Sequence, residues 1–128
     1  MLPLKKSSPL FAGLVEVISE EMAIPKNKLY STIGLARATV NRKVREHQLL
    51  TPDESERVLG IARLVGQVDT IVRESGNRKG FDAAKWVARW LYRPQPALGG
   101  RRLAELMDTA DGRGISVSSL ARASINTL

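Results

Sequence analysis

The sequence predicts an all-α protein, a small helical bundle that carries a helix-turn-helix. Three observations lead there. Apolar residues recur at spacings of three and four along most of the chain, and no alternating strand pattern rises above noise. Apolar residues make up 43% of the 128 but aromatic ones only 5%, so the interior is built from Leu, Val, Ile and Ala rather than the layers of a β-sandwich. At Gly34 two short amphipathic runs meet, and a tight turn between helices wants a residue that tolerates positive φ. A chain of this length suits one compact domain or two small ones sharing a core.

Taken in order, Ser8-Pro9 reads as an N-cap with proline at the first helical position. Leu10, Leu14, Val17, Ile18 and Met22 then share one helical face, with Glu16, Glu20 and Glu21 on the other. Ile24-Pro25 opens the next helix. Leu29 and Ile33 mark its apolar face, Leu35 plugs the angle after Gly34, and Val40 and Val44 mark the inward face of a recognition helix over residues 36–46. Thr51-Pro-Asp-Glu54 is a capping box with proline in the first turn. It starts a long helix that ends near Glu74 with Ser75-Gly76 as a left-handed cap. That helix carries one stripe of Val58, Ile61, Val65, Val68 and Val72 and a second of Leu64 and Ile71. Two apolar stripes place it at the centre of a bundle rather than in a free-standing coiled coil, and the second stripe is available for dimerisation. Asp82 starts a helix over residues 83–92 with Trp86, Val87, Trp90 and Leu91 on one side, and Arg93-Pro94-Gln95-Pro96 stops it. Residues 97–102 form a compact turn, residues 103–107 a short helix, and Asp108 or Thr109 begins the last segment. Residues 115–128 are serine-rich, weakly patterned and at most partly helical.

The charge is uneven. Net charge is +7, and residues 24–45 hold six cations with no Asp or Glu: Lys26, Lys28, Arg37, Arg42, Lys43 and Arg45. Positive charge on the second helix of a helix-turn-helix is what a phosphate-lined groove requires. With Val40 and Val44 inward, Arg37, Ala38, Asn41 and Arg42 are placed for base edges: Arg for guanine, Asn for adenine, Ala for a thymine methyl. Thr39 is placed for a phosphate oxygen, and Lys26, Lys28, Lys43 and Arg45 for the DNA backbone.

Catalytic constellations are missing from the sequence. The single histidine, His47, reads as a solvated residue near a helix end, and Asp108 and Asp111 as complements to a helix dipole. Gly99-Gly100-Arg-Arg lacks the spacing of a phosphate loop and reads as a turn that lets two helices approach. Trp86 and Trp90 at i and i+4 read as core. The chain has no cysteine, which fits a reducing cytoplasm, and no apolar run long enough to span a membrane. Neither a metal nor a cofactor is expected.

These residues give the chain a resemblance to antitoxins of the Xre/MbcA/ParS type, the partners of RES-domain toxins. The resemblance rests on Ile24-Pro25, on Ile33-Gly-Leu-Ala-Arg-Ala-Thr-Val40, and on Leu50-Thr-Pro-Asp-Glu-Ser-Glu-Arg-Val-Leu59. Its most specific part is the string from Trp90 through Arg93-Pro-Gln-Pro-Ala-Leu-Gly-Gly-Arg-Arg102 to Thr109. It implies an all-α homodimer with a helix-turn-helix region over residues 1–50, a connecting or dimerisation helix over 51–75, and a C-terminal helical toxin-binding domain over 76–128. The first would bind operator DNA of its own operon. The last would occlude a RES toxin, with Leu98, Gly99, Gly100, Arg101 and Arg102 in the toxin-facing region. NAD would be the toxin's substrate and no cofactor of this chain. The alternative is a plain dimeric helix-turn-helix regulator without a toxin partner. Three positions depart from the family pattern. Ala36 stands where a capping serine is frequent, at a cost of about 1 kcal/mol. Tyr30 fills a site often held by alanine, which predicts a wider crossing of the two helices. Residues 115–128 lack the regular amphipathic helix on which family members end.

Overall fold

The computed structural model describes residues 10–74, 76, 80–107 and 117–126. Among these residues six α-helices follow in order: α1 (Gly13–Met22), α2 (Lys26–Thr32), α3 (Arg37–Arg45), α4 (Pro52–Glu74), α5 (Ala83–Leu91) and α6 (Val117–Asn126). Two 3-10 turns, Pro96–Leu98 and Leu103–Leu106, lie between α5 and α6. Among the described residues, β structure is confined to two isolated antiparallel bridges, Phe11 with Leu49 and Pro94 with Arg102.

The 23-residue α4, about 35 Å long, is the centre of the bundle. Its buried arc is Ser55, Val58, Ile61, Leu64, Val68, Ile71 and Val72, against which α5 and α6 pack. Both expected stripes therefore face the core, with Val65 only half-buried. The capping box forms as read: Thr51 Oγ1 accepts from the Glu54 N–H at 3.1 Å, and Glu54 Oε1 accepts from the Thr51 N–H at 2.8 Å. On α5, Asp82 caps the helix through the Lys85 N–H at 3.1 Å. Trp86 and Trp90 stack with ring centroids 5.4 Å apart.

Helices α1, α2 and α3 end in the same way. Each closes on a left-handed residue: Ala23 at φ 60°, Gly34 at 80° and His47 at 55°. The next N–H then reaches back five residues: Ile24 to Ser19 O at 3.1 Å, Leu35 to Tyr30 O at 2.8 Å, and Gln48 to Lys43 O at 2.8 Å. These are Schellman motifs, which satisfy carbonyls that a helix end leaves open. Glycine stands at only one of the three.

Two expectations fail in this region. The helix begins at Gly13, three residues after Leu10; the Ser8-Pro9 cap lies outside the described residues. Residues 10–12 lie outside the helix and pair with residues 48–50: Ala12 N donates to Gln48 O at 3.1 Å and Leu50 N to Leu10 O at 2.7 Å. This rotates the helix, so its buried face is Val15, Ser19 and Met22, while Leu14 and Val17 are exposed. Ser19 is tolerated inside because its hydroxyl donates to Glu16 O at 2.8 Å.

Residues 117–126 are also more regularly helical than their composition suggests. Helix α6 buries Ala121 and Ile125, and Ser124 Oγ accepts a 3.0 Å hydrogen bond from Trp90 Nε1. The serine counted against a helix here satisfies a buried indole. The proposed starts at Asp108 or Thr109 lie outside the described residues, as does Ser75.

Candidate nucleic-acid and partner-binding surfaces

The helix-turn-helix is fixed by its core and by two polar ties to α4. Leu29, Tyr30, Ile33, Leu35 and Val40 are buried, which sets the angle between α2 and α3. Tyr30 is wholly inside, and burial raises the pKa of its phenol. Among the described residues its hydroxyl has no hydrogen-bond partner. Arg57 of α4 donates through Nη1 to the Ile33 carbonyl at 3.0 Å, pinning the turn.

Lys43 is the second tie. The sequence places it on the DNA backbone, but the structure turns it inward. It lies three residues after Val40 on the same helical face, and its Nζ meets Glu54 Oε1 at 2.8 Å. Partial burial pushes the Glu54 carboxyl up, but hydrogen bonds from Lys43 and from the Thr51 backbone outweigh it and hold the group below its ordinary value. Lys43 therefore positions the recognition helix and is withdrawn from the phosphate-facing set. The signal was present in sequence only as Glu54's capping role, which left its second lone pair unassigned.

The other expected DNA-facing residues fall as follows. Arg37, Ala38, Arg42 and Arg45 are exposed, and Thr39 and Asn41 are half-buried. Arg42 is held by Glu46 at 3.2 Å and Gln48 at 3.0 Å. Asn41 Nδ2 contacts Asn27 Oδ1 at 3.5 Å across the two helices. Arg37 and Arg45 have no carboxylate partner among the described residues. Lys26 pairs with Glu16 at 2.8 Å, and Lys28 Nζ stands 4.1 Å above the Tyr92 ring. Ala36 is extended and makes no side-chain cap, as its identity requires, so the first N–H groups of α3 stay open beside the cationic face.

The second surface is the turn after α5. Gln95 is buried and organises it: its carbonyl accepts from Leu98 N and Gly100 N, each at 2.9 Å, and its N–H donates to Arg101 O at 3.0 Å. Gly99 and Gly100 sit at φ 68° and 86°, two consecutive left-handed residues. A Cβ at either would meet nothing within 4 Å, so the need for glycine is conformational. This corrects the reading of the pair as a close approach of two helices. The turn presents Gly99, Gly100, Arg101 and Arg102 to solvent and half-buries Leu98, so the five expected toxin-facing residues form one continuous surface. Glu105 underlies the two arginines. Hydrogen bonds from the Arg102 backbone, then from the Arg102 and Arg101 side chains, hold its carboxyl below the usual value.

Residues that sequence reasoning passed over join the two surfaces. Thr32 Oγ1 and Tyr92 Oη share a hydrogen bond of 2.6 Å between α2 and the end of α5. Among the described residues no group of three His, Cys, Asp or Glu gathers as a metal site, and no helix is long and apolar enough to cross a membrane.

Residues 4–63 match the antitoxin Xre-like helix-turn-helix domain, and residues 79–115 match the antitoxin Xre/MbcA/ParS C-terminal toxin-binding domain. The chain is 42% identical over 99 residues to a protein of Sphingobium sp. (strain YBL2) named Prs ADP-ribosylating antitoxin. That alignment takes in 77% of this chain and spans 62% of the length of the curated relative. Carrying both domains in this order, the chain belongs to the Xre/MbcA/ParS antitoxin family.

Proposed function

We propose that this chain is the antitoxin of a toxin–antitoxin pair, that it occludes a RES-type, NAD-consuming toxin, and that as a homodimer it represses its own operon. The observation that carries the reading is the pairing of two surfaces on one bundle. One is a cationic recognition helix clamped to α4; the other is a preset glycine turn within the region that matches the toxin-binding domain. The relative's name joins the word antitoxin to ADP-ribosyl transfer, a chemistry that draws on NAD, and this supports an NAD-consuming partner.

Inhibition by occlusion needs a surface already in its bound shape, since ordering a loop on binding costs affinity. The Gln95 carbonyl, accepting twice, fixes residues 98–102 before any partner arrives. Repression needs the exposed Arg37, Ala38 and Arg42, with Asn41, to read base edges while Lys26, Lys28, Thr39 and Arg45 hold the backbone. NAD is then the toxin's substrate, and no step of chemistry belongs to this chain.

Co-expression with the neighbouring reading frame tests the reading. Growth arrest by the neighbour alone, relieved by this chain, is the expected result, together with retarded migration of the upstream promoter fragment. A harmless neighbour, or arrest that this chain does not relieve, removes the antitoxin half.

A further inference from the structure

A cleft of about 370 Å³ opens where the turn between α1 and α2 meets α5, beside the helix-turn-helix surface, with which it shares Lys28. Its floor is apolar, made by Met22, Ile24 and Ala88. Its rim is cationic, made by Lys28, Lys85 and Arg89. Lys85, Arg89 and Tyr92 follow at i, i+4 and i+7 and so share a helical face distinct from the buried Trp86, Val87, Trp90 and Leu91. Tyr92, fixed by its bond to Thr32, holds Lys28 over its ring and brings the α2 cation toward the two on α5. No Asp or Glu lines this cleft. Glu105, in the adjoining depression, is engaged by Arg101 and Arg102. Lys85 and Arg89 have no carboxylate partner among the described residues.

Three cations around an apolar floor repel one another unless an anion sits between them. The shape suits a ligand with anionic oxygens on one side and the C–H face of a sugar ring on the other, as in a phosphodiester and its deoxyribose. Position argues for the polymer. Lys28 adjoins Asn27, whose side chain meets Asn41 of the recognition helix, and the first helix of a helix-turn-helix crosses the DNA backbone. We propose that Lys28, Lys85 and Arg89 clamp a DNA phosphate that flanks the site read by α3, so that the DNA interface extends onto the C-terminal half of the chain. The proposal rests on the reading of α3 as a DNA-reading helix.

The test uses the full chain, a fluorescent duplex taken from upstream of its own reading frame, and a scrambled duplex, titrated over a range of salt. The variants are Lys85→Gln with Arg89→Gln, Lys85→Arg with Arg89→Lys, and Arg37→Ala. Losing one clamped phosphate makes the slope of log affinity against log salt shallower by about 0.9. The glutamine pair is expected to show that change, with affinity for both duplexes falling by the same factor, while the charge-conserving pair keeps the slope. An unchanged slope in the glutamine pair, beside lost sequence preference in Arg37→Ala, overturns the clamp and leaves the recognition helix intact. Failure of the wild type on every duplex overturns both. Pyrophosphate shifting the Lys85 and Arg89 resonances while the DNA slope is unchanged assigns the cleft to a free anion and also overturns the proposal, as does a glutamine pair that loses only toxin binding.

Discussion

At the scale of single residues, two buried polar groups carry opposite consequences. Tyr30 places an unpartnered hydroxyl inside the helix-turn-helix, and an unmade hydrogen bond in the interior costs more than none being possible. Tyr30→Phe keeps the packing and removes that cost, so thermal unfolding should show a gain of about 1 kcal/mol. Lys43 is the reverse case, a buried charge fully paired with Glu54. Lys43→Met leaves Glu54 without its cation and should lower stability by about 3 kcal/mol. The same change should leave the salt slope of DNA binding untouched, whereas Arg45→Ala should make it shallower by about 0.9. The pH dependence follows from Glu54's lowered value. Its contribution is complete above the ordinary carboxyl value of 4.5 and is lost as pH falls through the lower value of the folded state. Acid titration of wild type against Glu54→Gln should show that loss in the wild type only.

At the scale of elements, local chemistry legible in the sequence was that which a short segment completes by itself. Gly34 as a left-handed stop, Thr51 with Glu54 as a capping box, Asp82 as a cap and Gly76 as a terminator each need only neighbours within a few residues. What required a distant partner was misread or missed. The face of α1 was misjudged because residues 10–12 pair with residues 48–50 and rotate the helix that follows. Sequence places Lys43 on the DNA backbone because its partner stands on the next helix, and it underrates α6 because Ser124's partner is Trp90, 34 residues away. Of the two candidate surfaces, the turn at residues 98–102 was the more legible, since its geometry is set locally by Gln95 and two glycines. That turn yields its own prediction. Gly100→Ala meets no neighbouring atom but forces an L-residue to φ 86°, at about 1–2 kcal/mol. If the turn relaxes to escape that strain, the toxin complex should weaken by about tenfold, read by titration calorimetry, with DNA binding unchanged.

At the scale of the whole molecule, the two surfaces share one core but no side chains. Helix α4 clamps the helix-turn-helix through Arg57 and Glu54 and supports α5 and α6 on its other buried positions. The Thr32–Tyr92 bond, Lys28 over the Tyr92 ring and α1 against α5 are further joins between the halves. On the proposed function, a frame of this kind lets one chain hold DNA and a protein partner as separable tasks. The most direct measurement is a crossed one on three forms of the chain: wild type, Arg37→Ala with Arg45→Ala, and Arg101→Glu with Arg102→Glu. Each is scored for relief of toxin arrest and for binding of the native promoter. The account predicts that the α3 pair abolishes promoter binding and still relieves arrest, while the turn pair does the opposite. Full relief of arrest by the Arg101→Glu, Arg102→Glu chain, or promoter binding undiminished in the Arg37→Ala, Arg45→Ala chain, would contradict it.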